Sequence, residues 1–386
     1  MIKLTINDRA VEVEPGETVL VAAQQAGVSI PTLCHHPRLT PFGSCRLCLV
    51  QVEGMKKLQP SCTLAATDGM IVHTETQGVR DARKFILSML FSERNHFCMY
   101  CEATDGDCDL QQAAYSQNMT HWPIPPAYLP FAMDASHPDF ILDNNRCILC
   151  RRCVRACSEL VGNATLGFEE RGSASILVAD DSIPLGKSTC ISCGNCVQIC
   201  PTGALIDRGS AYLGRRTDLE HSPSVCIECG LGCARDVQSR DNRLVRLDGL
   251  DDGHFNEGLL CEYGRYKPLH EKRTRLTTPL IRRNGKLEPT SWSEALNVIS
   301  AELKAHDGDE ILAQISPRYS IESLAGFFEL FHDDFQMEAV YTLGENETAR
   351  ASVSFARELG ASFEADLSAL KDNDMAIILG ADLVKD

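Results

Sequence analysis

Thiolates are the chemistry this chain offers. Cys34, Cys45, Cys48 and Cys62 form a first group, and Cys98, Cys101 and Cys108, with His96 beside them, a second. Cys147, Cys150, Cys153 and Cys157 form a third, Cys190, Cys193, Cys196 and Cys200 a fourth, and Cys226, Cys229, Cys233 and Cys261 a fifth. These groups absorb all 19 cysteines of the 386-residue chain. The count is odd, and the opening MIKLTINDRA lacks the apolar core of a secretory signal. Disulfides are therefore a poor reading and bound metal a good one. Four thiols, or three thiols and an imidazole, suit a zinc ion or an iron–sulfur cluster.

The spacing separates these two chemistries. The third and fourth groups each read C-x2-C-x2-C-x3-C, and the second copy ends in Cys200–Pro201, the two-cluster ferredoxin run in which the fourth cysteine serves the other cluster. The first copy is followed by Ser158 instead of proline. The expected ligand sets are Cys147, Cys150, Cys153 and Cys200 for one [4Fe–4S] cluster, and Cys190, Cys193, Cys196 and Cys157 for its neighbour. The first group is C-x10-C-x2-C-x13-C, a wider first gap than the plant-type x4, and is expected to hold [2Fe–2S]. His35 and His36 raise a Rieske possibility, but four thiols are already present, so both are read as surface or outer groups. In NHFCMYCEATDGDC, His96 is expected as the fourth ligand of a [4Fe–4S] site with Cys98, Cys101 and Cys108; the alternative is a capping or solvent histidine. The fifth group, C-x2-C-x3-C-x27-C, closes a loop of its own around a fourth [4Fe–4S] cluster.

Local pattern suggests what positions these groups. Alternation in Lys3–Ile6 and Val11–Val13 around the turn-prone Asn7–Asp8 predicts a hairpin, with Thr18 starting a helix and Gly27 ending it. Arg83–Arg94 reads as an amphipathic helix with Phe85, Ile86, Met89 and Leu90 on one face. A segment this small has little core of its own, so ligand binding is expected to supply much of its folding energy. Pro123, Pro125, Pro126 and Pro130 mark a linker, and Asp139–Asp143 a strand. Beyond Cys261, strand–helix units are expected at Ile311–Ile315, Ser320–Phe331, Ala339–Leu343 and Met375–Leu379, with Trp292 and Leu296 in the packing.

The expected organisation is an α+β chain of modules. It comprises a β-grasp [2Fe–2S] domain (1–78), a Cys3His [4Fe–4S] module (79–120), a Pro-rich linker (121–136) and a two-[4Fe–4S] ferredoxin domain (137–215). A further [4Fe–4S] domain (219–275) and a partial α/β domain (276–386) follow. The net charge of −16 opposes nucleic-acid binding. No run of 18 apolar residues suggests a membrane span, and a cytoplasmic location is expected. No GxGxxG is evident, so NAD and flavin are expected on another subunit, and no catalytic or nucleotide-binding residue is assigned. Gly230 and Gly232 are read as letting the backbone turn around the fifth site.

PTLCHHPRLTPFGSCRLCLV, then ERNHFCMYCEATDGDCDLQ, then the doubled ferredoxin run, resembles modules shared by three families. These are the large iron–sulfur subunit of NADH dehydrogenase (complex I), the small diaphorase subunit of NAD-reducing hydrogenases, and the alpha subunit of NAD-dependent formate dehydrogenases. Iron-only hydrogenases share them, but no cysteine follows Cys261 here to hold their hydrogen-activating cluster. From Cys226 on, the chain resembles the molybdopterin oxidoreductase iron–sulfur domain, as in CEYGRYKPLHEKRTRLTTPLIRRNGKLEPTSWSEAL. Two departures bear on function. Tyr263 stands where active relatives usually carry a lysine, and Ser352, after Ala349 and Arg350, where formate dehydrogenases carry cysteine or selenocysteine. The 125 residues after Cys261 are expected to be too few to enclose a pterin, so molybdopterin is not expected. The resemblance implies an electron-transfer subunit between an NAD(P)H-oxidising FMN flavoprotein, with its small [2Fe–2S] subunit, and a terminal redox enzyme. The alternative is a molybdopterin-dependent oxidoreductase such as formate dehydrogenase.

Overall fold

The computed structural model describes residues 1–229, 231–251, 255–272, 276–316, 319–337 and 340–342. It forms two compact units, Met1–Glu228 with Gly232–His270, and Cys229–Leu231 with the described residues from Glu271 on.

In the first unit, β1 (Ile2–Ile6) and β2 (Arg9–Val13) make the expected hairpin. Asn7 and Asp8 both sit at positive φ, 47° and 66°, as a two-residue turn matched to the strand twist requires. Thr18 caps α1 (Val19–Gln25) by accepting from the Val21 N–H at 3.4 Å, and Gly27 leaves the helix at φ +68°. With β3 (Leu49–Val52), β4 (Gln59–Pro60) and β5 (Ile71–His73), the sheet runs β2-β1-β5-β3-β4, β5 lying parallel to β1. Its core, including Leu4, Ile6, Leu20, Val50 and Val72, is drawn from residues 4–72 alone.

α2 (Gln77–Glu93) begins six residues before the expected Arg83, because Thr76 caps it there. Its inward face matches expectation only in part, with Ile86 and Leu90 packed against the core. Val79, Arg83, Leu87 and Phe91 are buried at four-residue spacing, whereas Phe85 and Met89 are 60% and 49% exposed. The buried stripe contains an arginine that apolar counting passes over. The Arg83 guanidinium donates to Glu75 and to the Leu49 carbonyl, both at 3.0 Å, so its charge is paired and its stem packs.

α3 (Asp109–Ser116) places Leu110, Ala113 and Ala114 in a second core with Leu33, Leu47, Leu87, Phe91 and Ile148. The proline-rich stretch is pinned to the end of α2. Ser92 Oγ donates to the Ile124 carbonyl and the Ala127 N–H to the Ser92 carbonyl, each at 2.8 Å. Its end is β6 (Met133–Asp134), which pairs with β7 (Phe140–Asp143). α4 (Arg152–Arg155) runs into a single wide π-type turn at Ala156–Leu160. β8 (Leu166–Glu169) and β9 (Ile176–Ala179) form a hairpin, and α5 (Asn195–Ile199) leads to β10 (Leu205–Asp207), antiparallel to β7. β11 (Glu220–Val225), β12 (Ala234–Arg240) and β13 (Arg243–Gly249) make an antiparallel sheet, followed by α6 (Glu262–Arg265).

The second unit holds the hairpin β14 (Leu280–Arg283) and β15 (Lys286–Pro289), α7 (Trp292–Lys304), β16 (Ala313–Ile315), α8 (Ile321–Phe328) and β17 (Val340–Thr342), parallel to β16. Trp292 and Leu296 are 71% and 57% exposed, contrary to expectation; on α7 only Ala295 is buried, because the helix's apolar stripe meets no partner among the described residues. Ala349, Arg350, Ser352 and Met375–Leu379 lie outside the described residues. No helix among the described residues is long and apolar enough to cross a membrane.

Candidate metal centres

The first cysteine group converges where α1's exit loop meets β3 and β4. The Cys45 and Cys62 thiols donate to Cys34, and Cys62 also to Cys48. These bonds lower Cys34 to about 2 and Cys48 to about 7, while the same contacts push Cys45 and Cys62 upward. The Cys45 N–H points at Cys34 Sγ at 3.4 Å, the kind of amide–sulfur bond that tunes a bound cluster. Four sulfurs in one place, three of them buried, are a donor set that fits an iron–sulfur group. Burial first, then Arg152, holds His35 and His36 below the usual imidazole range, His36 at about 4. His36 faces a separate polar cavity of about 380 Å³ that it shares with Arg38, Arg216, His221 and Gln238.

His96, Cys98, Cys101 and Cys108 line one cavity, closed by Phe91, Leu110 and Gly203. The Phe91 ring meets the imidazole edge-on at 5.6 Å between centroids. Nε2 of His96 is buried with no hydrogen-bond partner among the described residues, which is uncommon unless the atom serves another ligand. Burial, then Arg146 and Arg94, lowers this imidazole to about 4, so it is neutral at pH 7, the form that binds metal. Burial raises the Cys101 thiol and takes Cys108 to about 12. These residues fit a fourth ligand beside three thiolates. Gly203 keeps the wall thin, since a Cβ there would sit 2.6 Å from Cys101 Sγ.

The two ferredoxin runs interleave. One cavity is lined by Cys147, Cys150, Cys153 and Cys200, the other by Cys190, Cys193, Cys196 and Cys157. Left-handed residues wrap each loop around its cavity: Leu149 and Arg151 at φ 54° and 63°, Ser192 and Gly194 at 56° and 68°. Strain of this kind is retained where a site needs it. The two loops also repeat one bond, from Leu149 N–H to Cys147 Sγ and from Ser192 N–H to Cys190 Sγ, each 3.4 Å. Burial pushes the thiols up, Cys147 to about 12 and Cys190 to about 11, so they ionise only against a bound cation. Thr202 lines both the Cys147 cavity and the His96 cavity.

Of the fifth group, Cys226, Cys233 and Cys261 gather in the first unit. The Cys226 N–H donates to the Cys233 carbonyl at 2.8 Å, and a Cβ on Gly264 would lie 3.4 Å from Cys226 Sγ and 3.9 Å from Cys261 Sγ. Cys229 belongs to the second unit. Gly232 turns at φ +65°, and Gly230 lies outside the described residues. Tyr263 is half exposed, with Lys267 Nζ 5.6 Å from its ring centroid.

Cysteine spacing gave no sign of the arginines between these sites. Arg265, almost fully buried, donates to the Cys193 carbonyl at 2.8 Å and pairs with Asp248 at 2.7 Å. Burial alone would raise Asp248, but Arg246, Arg216 and Arg265 outweigh it and hold the carboxyl well below its usual range. A buried ion pair carries no periodicity, so only the fold reveals it.

Comparison with known proteins follows this geometry module by module. Residues 1–77 match a 2Fe-2S iron-sulfur cluster binding domain, and 83–122 the NADH-ubiquinone oxidoreductase-G iron-sulfur binding region. Residues 138–206 match the ferredoxin-like domain of NADH-quinone oxidoreductase subunit 3, 219–268 the molybdopterin oxidoreductase Fe4S4 domain, and 275–386 molybdopterin oxidoreductase. A subunit of an NADH-quinone oxidoreductase of Rhizobium meliloti is 38% identical over 86% of this chain and 39% of its own length. The alpha subunit of the NADPH-Fe(3+) oxidoreductase of Geobacter sulfurreducens is 33% identical over 83% of this chain and 38% of its own length. A chain in the crystal structure of an NAD+-reducing [NiFe]-hydrogenase in the H2-reduced state is 42% identical, with a TM-score of 0.53, over 56% of this chain and 91% of that one. The chain spans less than half the length of the curated relatives it matches.

Proposed function

The chain belongs to the family of iron–sulfur subunits of NADH-quinone oxidoreductases and NAD-reducing hydrogenases, and from that premise we propose that it is a multi-cluster electron relay in the cytoplasm. Its donor is an NAD(P)H-oxidising FMN flavoprotein with a small [2Fe–2S] subunit, and its acceptor a terminal redox enzyme. Cys34, Cys45, Cys48 and Cys62 hold [2Fe–2S] in a β-grasp domain. His96 with Cys98, Cys101 and Cys108, the two crossed ferredoxin sets, and Cys226, Cys229, Cys233 and Cys261 hold [4Fe–4S]. When bound, such clusters take up and release single electrons. The chain's own part is to exclude water, to present amide N–H groups to sulfur, and to keep neighbouring sites close.

The observation that carries this reading is the shared walls. Thr202 lines two thiol cavities at once, and the crossed cysteines tie a third to them. The match of residues 275–386 to molybdopterin oxidoreductase favours a second reading, a catalytic molybdenum or tungsten enzyme. Against it stands Tyr263, a half-exposed phenol where an active pterin enzyme uses a lysine. Spectra of the anaerobically reconstituted chain decide between them. Dithionite should bleach it, and NADH should not until the flavoprotein is added. Direct reduction by NADH, or formate oxidation with stoichiometric molybdenum or tungsten, contradicts the relay.

A further inference from the structure

The wide gap between Cys34 and Cys45 is unexplained by ligation, since a plant-type loop manages with four residues. We propose that the stretch is an internal docking segment, and that Arg155 and Glu159 are the positioning residues that fix the first cysteine loop to the helix bearing Cys153 and Cys157. The inference rests on the relay reading, because it gives this contact its use.

Four observations converge on it, all within the first unit. Leu39, 3% exposed, packs into a small core with Ala156 and Ile199. Both backbone groups of Thr40 are taken by one side-chain pair four residues apart: Arg155 donates to its carbonyl, and its N–H donates to Glu159 at 2.9 Å. The other arm of the Arg155 guanidinium donates to the carbonyl of Cys34, itself an expected ligand. The ring of Phe42 stands 5.4 Å from the guanidinium carbons of both Arg151 and Arg155. An incidental loop contact would engage one of these groups. Here a side chain, two carbonyls, an amide and a ring from residues 34–42 all meet one helix. The buried guanidinium also places a positive charge against the Cys34 peptide, where it stabilises added negative charge at that site.

The test uses the full chain, reconstituted anaerobically. Glu159→Ala, at an exposed position, should keep full iron and sulfide, exchange the Thr40 amide many-fold faster, and slow the electron-spin relaxation of the reduced [2Fe–2S] signal as its paramagnetic neighbour loosens. Arg155→Gln should lower the potential of that signal, and Arg155→Lys should largely restore it, a reversal that loss of packing alone does not produce. If Arg155→Gln fails to fold, Glu159→Ala and Arg155→Lys still decide. Unchanged Thr40 exchange and unchanged relaxation in Glu159→Ala would overturn the inference. Absence of any [2Fe–2S] signal in the reduced wild-type chain would instead bring down the relay reading, and the exchange rate of Thr40 would then judge the clamp alone.

Discussion

The first two cysteine sites lie close in sequence and are folded by different means. Residues 1–77 surround a five-stranded sheet whose core is entirely their own. The segment holding His96 and Cys98–Cys108 has none. The side chains of α3 pack into a core shared with Leu33 and Leu47 before it and with Ile148 after it. The first site has Cys48 and Cys62 in the domain's own core and Cys34 in the shared one, whereas the second is a wedge that stands only while its neighbours and its ligands do. Autonomy follows from where the apolar side chains find partners, not from the number of thiols.

The sharpest way to break this contrast is to separate the two regions. Residues 1–77 expressed alone should melt cooperatively by circular dichroism, and residues 77–122 alone should show no transition, with or without iron. A cooperative melt of the second fragment would refute the shared core. Next in size, His96→Ala in the full chain should cost about four iron atoms, one cluster's worth, and leave the other sites loaded. Full iron with an unchanged paramagnetic resonance spectrum would remove His96 from the ligand set. Leu20→Ala and Leu110→Ala should each cost about 3 kcal/mol by denaturant unfolding, as buried leucines do. Their reach should differ: hydrogen exchange should loosen only residues 1–77 in the first variant, but spread from α3 to Ile148 in the second. Smallest, Thr18→Ala removes the cap of α1 and should cost about 1 kcal/mol, confined to the first domain.

What the sequence made legible was local. Asn7–Asp8 and Thr18 carry their turn and cap chemistry in their own side chains, and the structure uses them as expected. The inward face of α2 was legible only in Ile86 and Leu90, since Arg83 is buried by virtue of Glu75 and the Leu49 carbonyl, partners that no helical period announces. Trp292 and Leu296 follow a sound amphipathic pattern that the described residues leave uncovered. The grip of Arg155 on the Cys34 carbonyl joins residues 121 positions apart, and the Arg265–Asp248 pair joins strand to helix across 17. Such contacts have no spacing signature. Only the unexplained length of the first cysteine gap hinted that something occupied it.

The central claim is that one chain carries one [2Fe–2S] and four [4Fe–4S] clusters. Iron and acid-labile sulfide, measured together on the anaerobically reconstituted chain, test it most directly. Five filled sites require about 18 iron atoms per chain with matching sulfide. A plateau at about 14 would leave one site empty and point to the Cys98 group. Iron without sulfide, or zinc in its place, would contradict the claim.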